Sequence, residues 1–205
     1  MKLNEAQESA VTFVSGPCLV LAGAGSGKTR VITNKIAHLV RNCDMPARYI
    51  AAVTFTNKAA REMKERVAQT LGKPEARGLK VSTFHTLGLT IIKAHVKDLG
   101  LKPGFSLFDD KDSLSLLTDL TRETLDGDKD QLSLLQSCIS NWKNDLILPD
   151  ALLKQAQSTG EREFAEAYKR YQDNLKAYNA LDFDDLILLP TLLLKTSETV
   201  RAKWQ

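Results

Sequence analysis

The stretch Ala22-Gly23-Ala24-Gly25-Ser26-Gly27-Lys28-Thr29 decides the fold. It lies between a short apolar run at residues 17–22 and a segment with apolar residues at helical spacing, residues 28–40. A P-loop requires this strand–loop–helix setting. Glycines let successive backbone N–H groups turn towards phosphate oxygens, and the helix that follows adds the positive end of its dipole. The stretch therefore predicts a nucleoside triphosphate site.

Lys28 and Thr29 are the candidate catalytic residues of this loop. In a P-loop the Lys reaches the β- and γ-phosphates, and the Ser/Thr hydroxyl binds Mg²⁺. Ala22 stands where the strict pattern has a glycine, so the alternative is a glycine-rich turn with an accidental Lys-Thr. A dinucleotide fingerprint fails because Lys28 occupies the position of its last glycine. We expect Mg²⁺ to be bound at Thr29.

Strand-like and helix-like segments alternate in the first half of the chain. Thr56 or Asn57 offers an N-cap for the second helix, and Gly72 with Pro74 ends that helix. Two strand–helix pairs follow the P-loop, at residues 49–55 with 58–71 and residues 79–82 with 84–98. Together with the run at residues 17–22, this order predicts a parallel sheet with helices on both faces.

Strand signals nearly vanish after Gly100. Asp110 can cap the first helix of this region, and Asp126-Gly127-Asp128 is typical of a loop. The predicted helices cover residues 110–124, 129–143, 149–157, 161–178 and 183–195. The sequence therefore predicts an α/β region followed by a mainly helical one.

The charge changes sign along the chain. Residues 1–100 have 15 Lys/Arg and 7 Asp/Glu, whereas residues 101–205 have 13 and 18. A basic first half is typical of a surface that meets a polyanion, although two ordinary solvated faces are the alternative.

The remaining composition excludes several classes of protein. Cys18, Cys43 and Cys138 are far apart and lack Cys-x-x-Cys spacing, so we expect reduced thiols rather than zinc ligands or disulfides. No apolar run approaches the roughly 20 residues that span a bilayer. The first residues lack a secretory signal. We expect a cytoplasmic protein without a membrane partner.

Four further segments accompany the P-loop. They are Leu3-Asn4-x-x-Gln7-x-x-Ala10-Val11, Val53-Thr-Phe-Thr-Asn-Lys-Ala-Ala-Arg-Glu-Met63, Ser82-Thr-Phe-His-Thr86 and Leu181-Asp-Phe-Asp-Asp-Leu186. The first of them resembles the Gln motif of superfamily 1A DNA helicases, the Rep/UvrD/PcrA group, and the P-loop resembles motif I. The second resembles motif Ia, the third the next DNA-contacting motif, and the fourth the motif that closes the helical insertion. The resemblance runs from residue 3 to the C-terminus.

The resemblance implies a fold and a function. The fold is α/β: an incomplete RecA-like P-loop NTPase domain with a parallel sheet (residues 1–88 and 196–205), plus a mainly α-helical inserted subdomain (residues 89–195). The function is that of the ATP- and DNA-binding part of a 3′-to-5′ DNA helicase of replication and repair. The implied partners are single-stranded DNA and single/double-strand junctions, with replication or repair proteins possible, in the nucleoid of a bacterial cytoplasm.

The resemblance also assigns residues to the two ligands. The implied nucleotide-binding residues are Gln7, Ala22, Gly23, Ala24, Gly25, Ser26, Gly27, Lys28, Thr29 and Arg30, with ATP and Mg²⁺ as ligands. The implied DNA-binding residues are Phe55, Thr56, Asn57, Lys58, Arg61, Thr83, His85 and Phe183. An amide such as that of Gln7 can pair with the donor and acceptor edge of adenine.

Ordinary structural roles are the alternatives for several of these residues. A lone Phe, such as Phe55 or Phe183, belongs more often to a core than to a base-stacking surface, and His85 could be a capping or buried histidine. Asp182 with its neighbouring carboxylates could hold the metal ions of a nuclease, but capping of the following helix is favoured.

A P-loop enzyme also needs an Asp on a second strand to hold Mg²⁺. The only internal candidate, Asp109-Asp110, fits a loop that leads into a capped helix better. In the resembling family the Asp-Glu box lies beyond Gln205, so we expect this chain alone to be inactive in hydrolysis and unwinding. A small nucleotide kinase and a stand-alone binding module are the rival interpretations.

Overall fold

The structure is a computed structural model that describes residues 3–125 and 128–204. The chain divides into two compact units, with the boundary between Phe84 and His85. Helices and parallel strand pairs are both present, as the predicted α/β class requires. The predicted bounds of the motor domain and of the insertion stay a prediction.

The first unit is a parallel strand pair with three helices. Its elements are α1 (Glu5–Thr12), α2 (Lys28–Arg41), β1 (Ala51–Thr54), α3 (Asn57–Leu71) and β2 (Lys80–Thr83). β1 pairs with β2 in parallel, from Ala51 opposite Lys80 to Thr54 opposite Thr83. Helical spacing places apolar side chains of α2 and α3 on facing sides. The buried core consists of Ile36, Ala37, Ile50, Met63, Val67 and Leu71.

The predicted strand at residues 17–22 is wrong. These residues join no strand pair in the described part of the chain. Leu19 and Leu21 are 84% and 87% exposed. A strand exists through hydrogen bonds to a neighbouring strand. The apolar run pairs with neither β1 nor β2, and its composition alone does not make a strand.

The second unit is mainly helical. Its elements are α4 (Phe84–Ala94), β3 (Ser106–Leu107), α5 (Asp110–Leu120), α6 (Arg122–Leu125), α7 (Lys129–Asn144), α8 (Pro149–Gln155), α9 (Thr159–Ala177), β4 (Ala180–Leu181), α10 (Asp185–Thr196) and α11 (Glu198–Trp204). β3 and β4 form a short parallel pair. α5, α7 and α9 pack around Leu117, Leu135, Ile139, Ala167, Tyr168, Tyr171 and Leu175. The helical character predicted after Gly100 is confirmed for the described residues.

Three predicted helix boundaries need correction. The helix predicted over residues 84–98 ends at Ala94. Asp109, rather than Asp110, caps α5: its side chain accepts the N–H groups of Lys111 and Asp112, and Asp112 caps back onto Asp109. The helix predicted to reach residue 124 ends at Leu120, and a separate short helix, α6, follows. The expected capped helix is confirmed, but the expected loop before it is wrong in part, because Ser106 and Leu107 form β3.

Gly88 sets the approach of α4 to α10. A Cβ added at Gly88 would lie 1.8 Å from the carbonyl oxygen of Leu186 and 3.4 Å from Cγ of Pro190. Pro190, inside α10, has no N–H to donate to the Leu186 carbonyl four residues earlier. The two helices therefore meet where α4 has no side chain, at Gly88, and where the Leu186 carbonyl of α10 receives no hydrogen bond from Pro190.

Candidate phosphate loop and nucleic-acid interface

Two glycines shape the loop between residues 22 and 28. Gly25 and Gly27 have φ of 75° and 85°, in the left-handed region that disfavours side chains. Gly27 is the N-cap of α2, and the first turn of α2 contains no acidic residue. The N–H groups at this helix start are therefore not neutralised by a neighbouring carboxylate, which suits an anion.

The Lys28 ammonium group lies against the loop itself. Its Nζ donates to the carbonyl oxygens of Ala22 at 2.9 Å and Gly23 at 2.7 Å. The side chain is exposed, whereas its neighbour Thr29 is half-buried. A phosphate oxygen could replace these carbonyls with a stronger, charge-assisted partner.

Gln7 ties α1 to the loop and to α2. It forms a capping box with Asn4 at the start of α1. Gln7 Nε2 donates to the Ser26 carbonyl at 2.9 Å, and Arg30 Nη2 donates to Gln7 Oε1 at 2.6 Å. Arg30 Nε is buried without a hydrogen-bond partner among the described residues. The Gln7 amide thus links the first helix to the phosphate loop.

A cavity of about 240 Å³ opens beside this amide. Its wall combines apolar side chains, among them Ala6 and Ala10, with Gln7 and Lys28. An apolar wall with one amide and one ammonium group fits an aromatic base attached to phosphates. These residues therefore fit a nucleotide.

The end of β1 exposes an aromatic and basic surface. The Phe55 side chain is 95% exposed. Thr56 caps α3 by accepting the N–H of Ala59 at 3.1 Å. Asn57, Lys58 and Arg61 are exposed on the first turns of α3, and its first turn contains no acidic residue. The predicted N-cap is confirmed at Thr56, and Phe55 is not a core residue.

The other candidate DNA-binding residues differ in exposure. Thr83, at the end of β2, is only 6% exposed. In the second unit His85 is exposed, and Phe183 is 47% exposed. The rings of His85 and Phe183 meet edge to face, with their centroids 6.0 Å apart and their planes at 72°. The structure thus brings His85 and Phe183 together.

A buried ion cluster lies next to Phe183. Lys143 Nζ donates to Asp182 Oδ2 at 2.6 Å and to Asp185 Oδ1 at 2.9 Å. The Tyr171 hydroxyl donates to Asp182 Oδ2 at 2.9 Å. Asp182 Oδ1 accepts the backbone N–H of Asp185, and Asp185 Oδ2 accepts that of Asp182. Every oxygen of these two carboxylates is hydrogen-bonded, and we call the four side chains the Lys143 cluster.

Burial dominates the electrostatics of the cluster. Two carboxylates share one ammonium group, and burial raises the pKa of Asp185 to about 6. Burial, followed by the charge of Asp182, also raises the pKa of the Tyr171 hydroxyl. The sequence favours Asp182 as the cap of the following helix. The N-cap of α10 is instead Asp184, and Asp182 accepts the N–H of Asp185, the first residue of α10. The nuclease alternative is not supported, because Lys143 occupies the space between the two carboxylates.

Sequence reasoning missed Lys143 and Tyr171. The signal was present in α7, where Leu132, Leu135 and Ile139 are buried and Lys143 continues their spacing by one turn. A Lys in the apolar phase of a helix requires a buried partner. The partners lie 39 and 42 residues further along the chain.

Comparison with known proteins identifies relatives. The family model for the UvrD/REP helicase N-terminal domain matches residues 3–205. "ATP-dependent DNA helicase Rep" of Escherichia coli (strain K12) is 64% identical over 205 residues, all of this chain and 30% of that protein. "ATP-dependent DNA helicase PcrA" of Leuconostoc citreum is 40% identical over 204 residues, 99% of this chain and 27% of that protein. The chain spans about 30% of the length of the curated relatives it matches.

These matches confirm the resemblance to the Rep/UvrD/PcrA group that the motifs predicted. The relative named Rep is more similar to this chain than the one named PcrA. They reject the alternative of a small nucleotide kinase. None of the described helices is both long and apolar enough to cross a bilayer.

Proposed function

The chain belongs to the UvrD/REP helicase N-terminal domain family, and we propose that it is the ATP- and single-stranded-DNA-binding part of an ATP-dependent 3′-to-5′ DNA helicase. The observation that supports this most is the phosphate loop, where Lys28 lies against loop carbonyls at an uncompensated helix start. The relatives are named as ATP-dependent DNA helicases, which supports the coarser part of this proposal. The proposed fold of the complete motor domain is RecA-like.

In the proposed nucleotide site, residues 22–30 surround the phosphates and Gln7 recognises the adenine. Lys28 binds the β- and γ-phosphates, and the Thr29 hydroxyl binds Mg²⁺. The Gln7 amide already bonds the Ser26 carbonyl and Arg30, so base recognition and loop geometry are connected through one side chain.

We propose that the 205-residue chain binds ATP without turning it over. β1 ends at Thr54 and β2 at Thr83, and a Phe follows each. Neither of these paired strands ends in the carboxylate that a P-loop enzyme uses to hold Mg²⁺. Steady-state hydrolysis that rises with single-stranded DNA and disappears in Lys28→Ala would contradict this proposal.

The proposed DNA contacts fall into two groups. In the first unit, Thr56, Asn57, Lys58 and Arg61 bind phosphates at the start of α3 while Phe55 stacks on a base, and Thr83 lies at the end of β2. In the second unit, the exposed pair of His85 and Phe183 forms the other contact. Stacking tolerates any base, which suits a motor that moves along arbitrary sequences. Strand junctions, replication or repair proteins and a nucleoid location belong to the same proposal.

A titration with a fluorescent ATP analogue and Mg²⁺ tests the nucleotide site. Lys28→Ala should weaken binding about 10- to 100-fold, because it removes a charge-assisted bond worth about 1.5–3 kcal/mol. Lys73→Ala, an exposed Lys outside the loop, is the matched control and should bind as the parent does. Equal affinity of Lys28→Ala and Lys73→Ala would refute the P-loop assignment.

Salt dependence tests the DNA surface. Arg61→Ala should reduce the slope of log affinity against log salt by about 0.7, the value for one phosphate on a single strand. Phe183→Ala should lower the affinity at every salt concentration and leave the slope unchanged. Binding that neither substitution alters would place the DNA on another face.

A further inference from the structure

The Lys143 cluster fixes the chain on both sides of Phe183. Asp182 immediately precedes Phe183, Asp185 follows it by two residues, and Lys143 Nζ bonds both carboxylates. The two Asp residues also exchange side-chain-to-backbone bonds at 2.9 and 3.2 Å. One ammonium group on α7 therefore holds the turn at residues 182–185.

The cluster is built to be rigid. Lys143 is 1% exposed and Asp185 0%. Tyr171 on α9 adds a hydroxyl donor to Asp182, and the Lys143 ammonium lies 5.3 Å from the centre of the Tyr171 ring. Buried charges that lose a partner are strongly destabilised, so the cluster has one favoured arrangement.

Phe183 borders a space that its ring does not fill. A cavity of about 430 Å³ lies beside the turn, with Phe183 on a wall that is mostly polar and includes Ser113, Ser140 and Asn141. The Phe183 ring is still 47% exposed. A turn without its anchor would therefore leave the ring space to change its direction.

The His85 contact alone does not prevent such a movement. It is a single edge-to-face contact, with 6.0 Å between ring centroids, and His85 is itself exposed. A single exposed ring pair of this kind is weaker than the buried ion pairs of the cluster. The restraint on Phe183 therefore comes from the backbone on either side of it.

We propose that Lys143 is a positioning residue of the nucleic-acid interface, whose buried ammonium group holds the 182–185 turn so that the Phe183 ring stays exposed for base stacking. This inference rests on the proposed stacking role of Phe183. It assigns a function to a side chain that itself reaches no DNA.

The test is binding of a fluorescein-labelled oligothymidylate at low salt to the parent, Lys143→Met, Phe183→Ala and the double variant. Lys143→Met keeps an unbranched side chain, one atom shorter, and removes its charge. It should weaken binding about fivefold or more, the lower end of the contribution of one stacked base. The double variant should bind no more weakly than Phe183→Ala, because both changes remove the same contact. The salt slope of Lys143→Met should equal that of the parent.

Leu135→Ala is the control for general loosening of α7, since Leu135 is buried two turns before Lys143 on the same helix. It should leave the affinity unchanged at a temperature where circular dichroism shows every variant folded. If Lys143→Met does not fold, Asp185→Asn replaces it with the same expected loss of affinity.

The outcomes separate this inference from the function on which it rests. Weaker binding by Phe183→Ala together with parent-like binding by Lys143→Met overturns the inference alone. Equal losses in Lys143→Met and Leu135→Ala, or losses that multiply in the double variant, overturn it too. Parent-like binding by Phe183→Ala overturns the proposed stacking role, and the inference with it.

Discussion

The phosphate loop and the Lys143 cluster are built in opposite ways. The loop is exposed, is made largely of backbone groups within eight consecutive residues, and holds its Lys28 on its own carbonyl oxygens. The cluster is buried, is made of side chains from α7, α9 and the turn before α10, and holds its Lys143 on two carboxylates. One lysine is free to exchange its partners for a ligand, and the other is not.

The difference teaches how to separate binding residues from positioning residues. Exposed Lys28 gives up solvent-accessible hydrogen bonds of modest net value when a phosphate arrives. If the buried Lys143 ammonium group moved away, two buried carboxylates would lose their ion-pair partner. We therefore expect substitutions in the loop to change affinity, and substitutions in the cluster to change stability first.

The largest expected effect on stability is that of Lys143→Ala. Removing one member of a buried ion pair costs about 3–5 kcal/mol, because the remaining charges are left uncompensated. Lys28→Ala should change the free energy of unfolding by less than about 0.5 kcal/mol, as exposed substitutions do. Urea unfolding, monitored by far-ultraviolet circular dichroism, measures the free energy of unfolding of both variants. If Lys143→Ala and Lys28→Ala unfolded at similar urea concentrations, the proposed difference between a buried positioning lysine and an exposed binding lysine would be wrong.

The next effect concerns the helix crossing that supports the turn. Gly88→Ala should cost about 3 kcal/mol, the upper part of the range for overpacking, since the new Cβ would meet a backbone carbonyl at 1.8 Å. Gly160→Ala in α9 is the matched control, because a Cβ there meets nothing within 4 Å. It should be neutral or slightly stabilising. Thermal unfolding of the pair measures the difference, and equal melting temperatures would show that α4 and α10 can separate without cost.

The sequence predicted the loop because its geometry is local. The glycines, Lys28 and the start of α2 all lie within one short segment, and the Thr56 cap depends only on the residues that follow it. Residues 17–22 were mispredicted because a strand needs a partner elsewhere in the chain, and apolar composition does not supply one. The Lys143 cluster was missed because its partners lie 39 and 42 residues away. Only the spacing of Lys143 from the apolar residues of α7 indicated that its side chain is buried.

A smaller effect follows from the raised pKa of Asp185. Burial raises this pKa to about 6. Between about pH 4 and pH 6, Asp185 is therefore protonated in the folded protein and ionised in the unfolded chain. This contribution to stability is present below pH 4 and is lost as the pH rises through 6. The variant Asp185→Asn cannot titrate, so the stability of the parent relative to it should fall by on the order of 2 kcal/mol over that range.

Urea unfolding of the parent and of Asp185→Asn at several pH values measures this difference. Asp150, an exposed carboxylate whose lowered pKa is caused by its hydrogen bond to Lys169, offers the control Asp150→Asn. The stability of the parent relative to this control should stay nearly constant over the same range, because Asp150 titrates below about pH 4. A difference between the parent and Asp185→Asn that stays constant from pH 4 to 7 would show that Lys143 keeps Asp185 ionised throughout.

The smallest expected effect lies at the exposed surface of the first unit. Thr56→Ala removes the side-chain cap of α3 and should cost about 1 kcal/mol, because the N–H of Ala59 loses its acceptor. Thr70→Ala, later in the same helix, removes a hydroxyl that bonds only the Arg66 carbonyl and should be neutral. Thr56→Ser keeps a capping oxygen and should keep most of the stability. If Thr56→Ala and Thr70→Ala unfold at the same urea concentration, water caps α3 as well as Thr56 does, and Thr56 remains free to bind a phosphate.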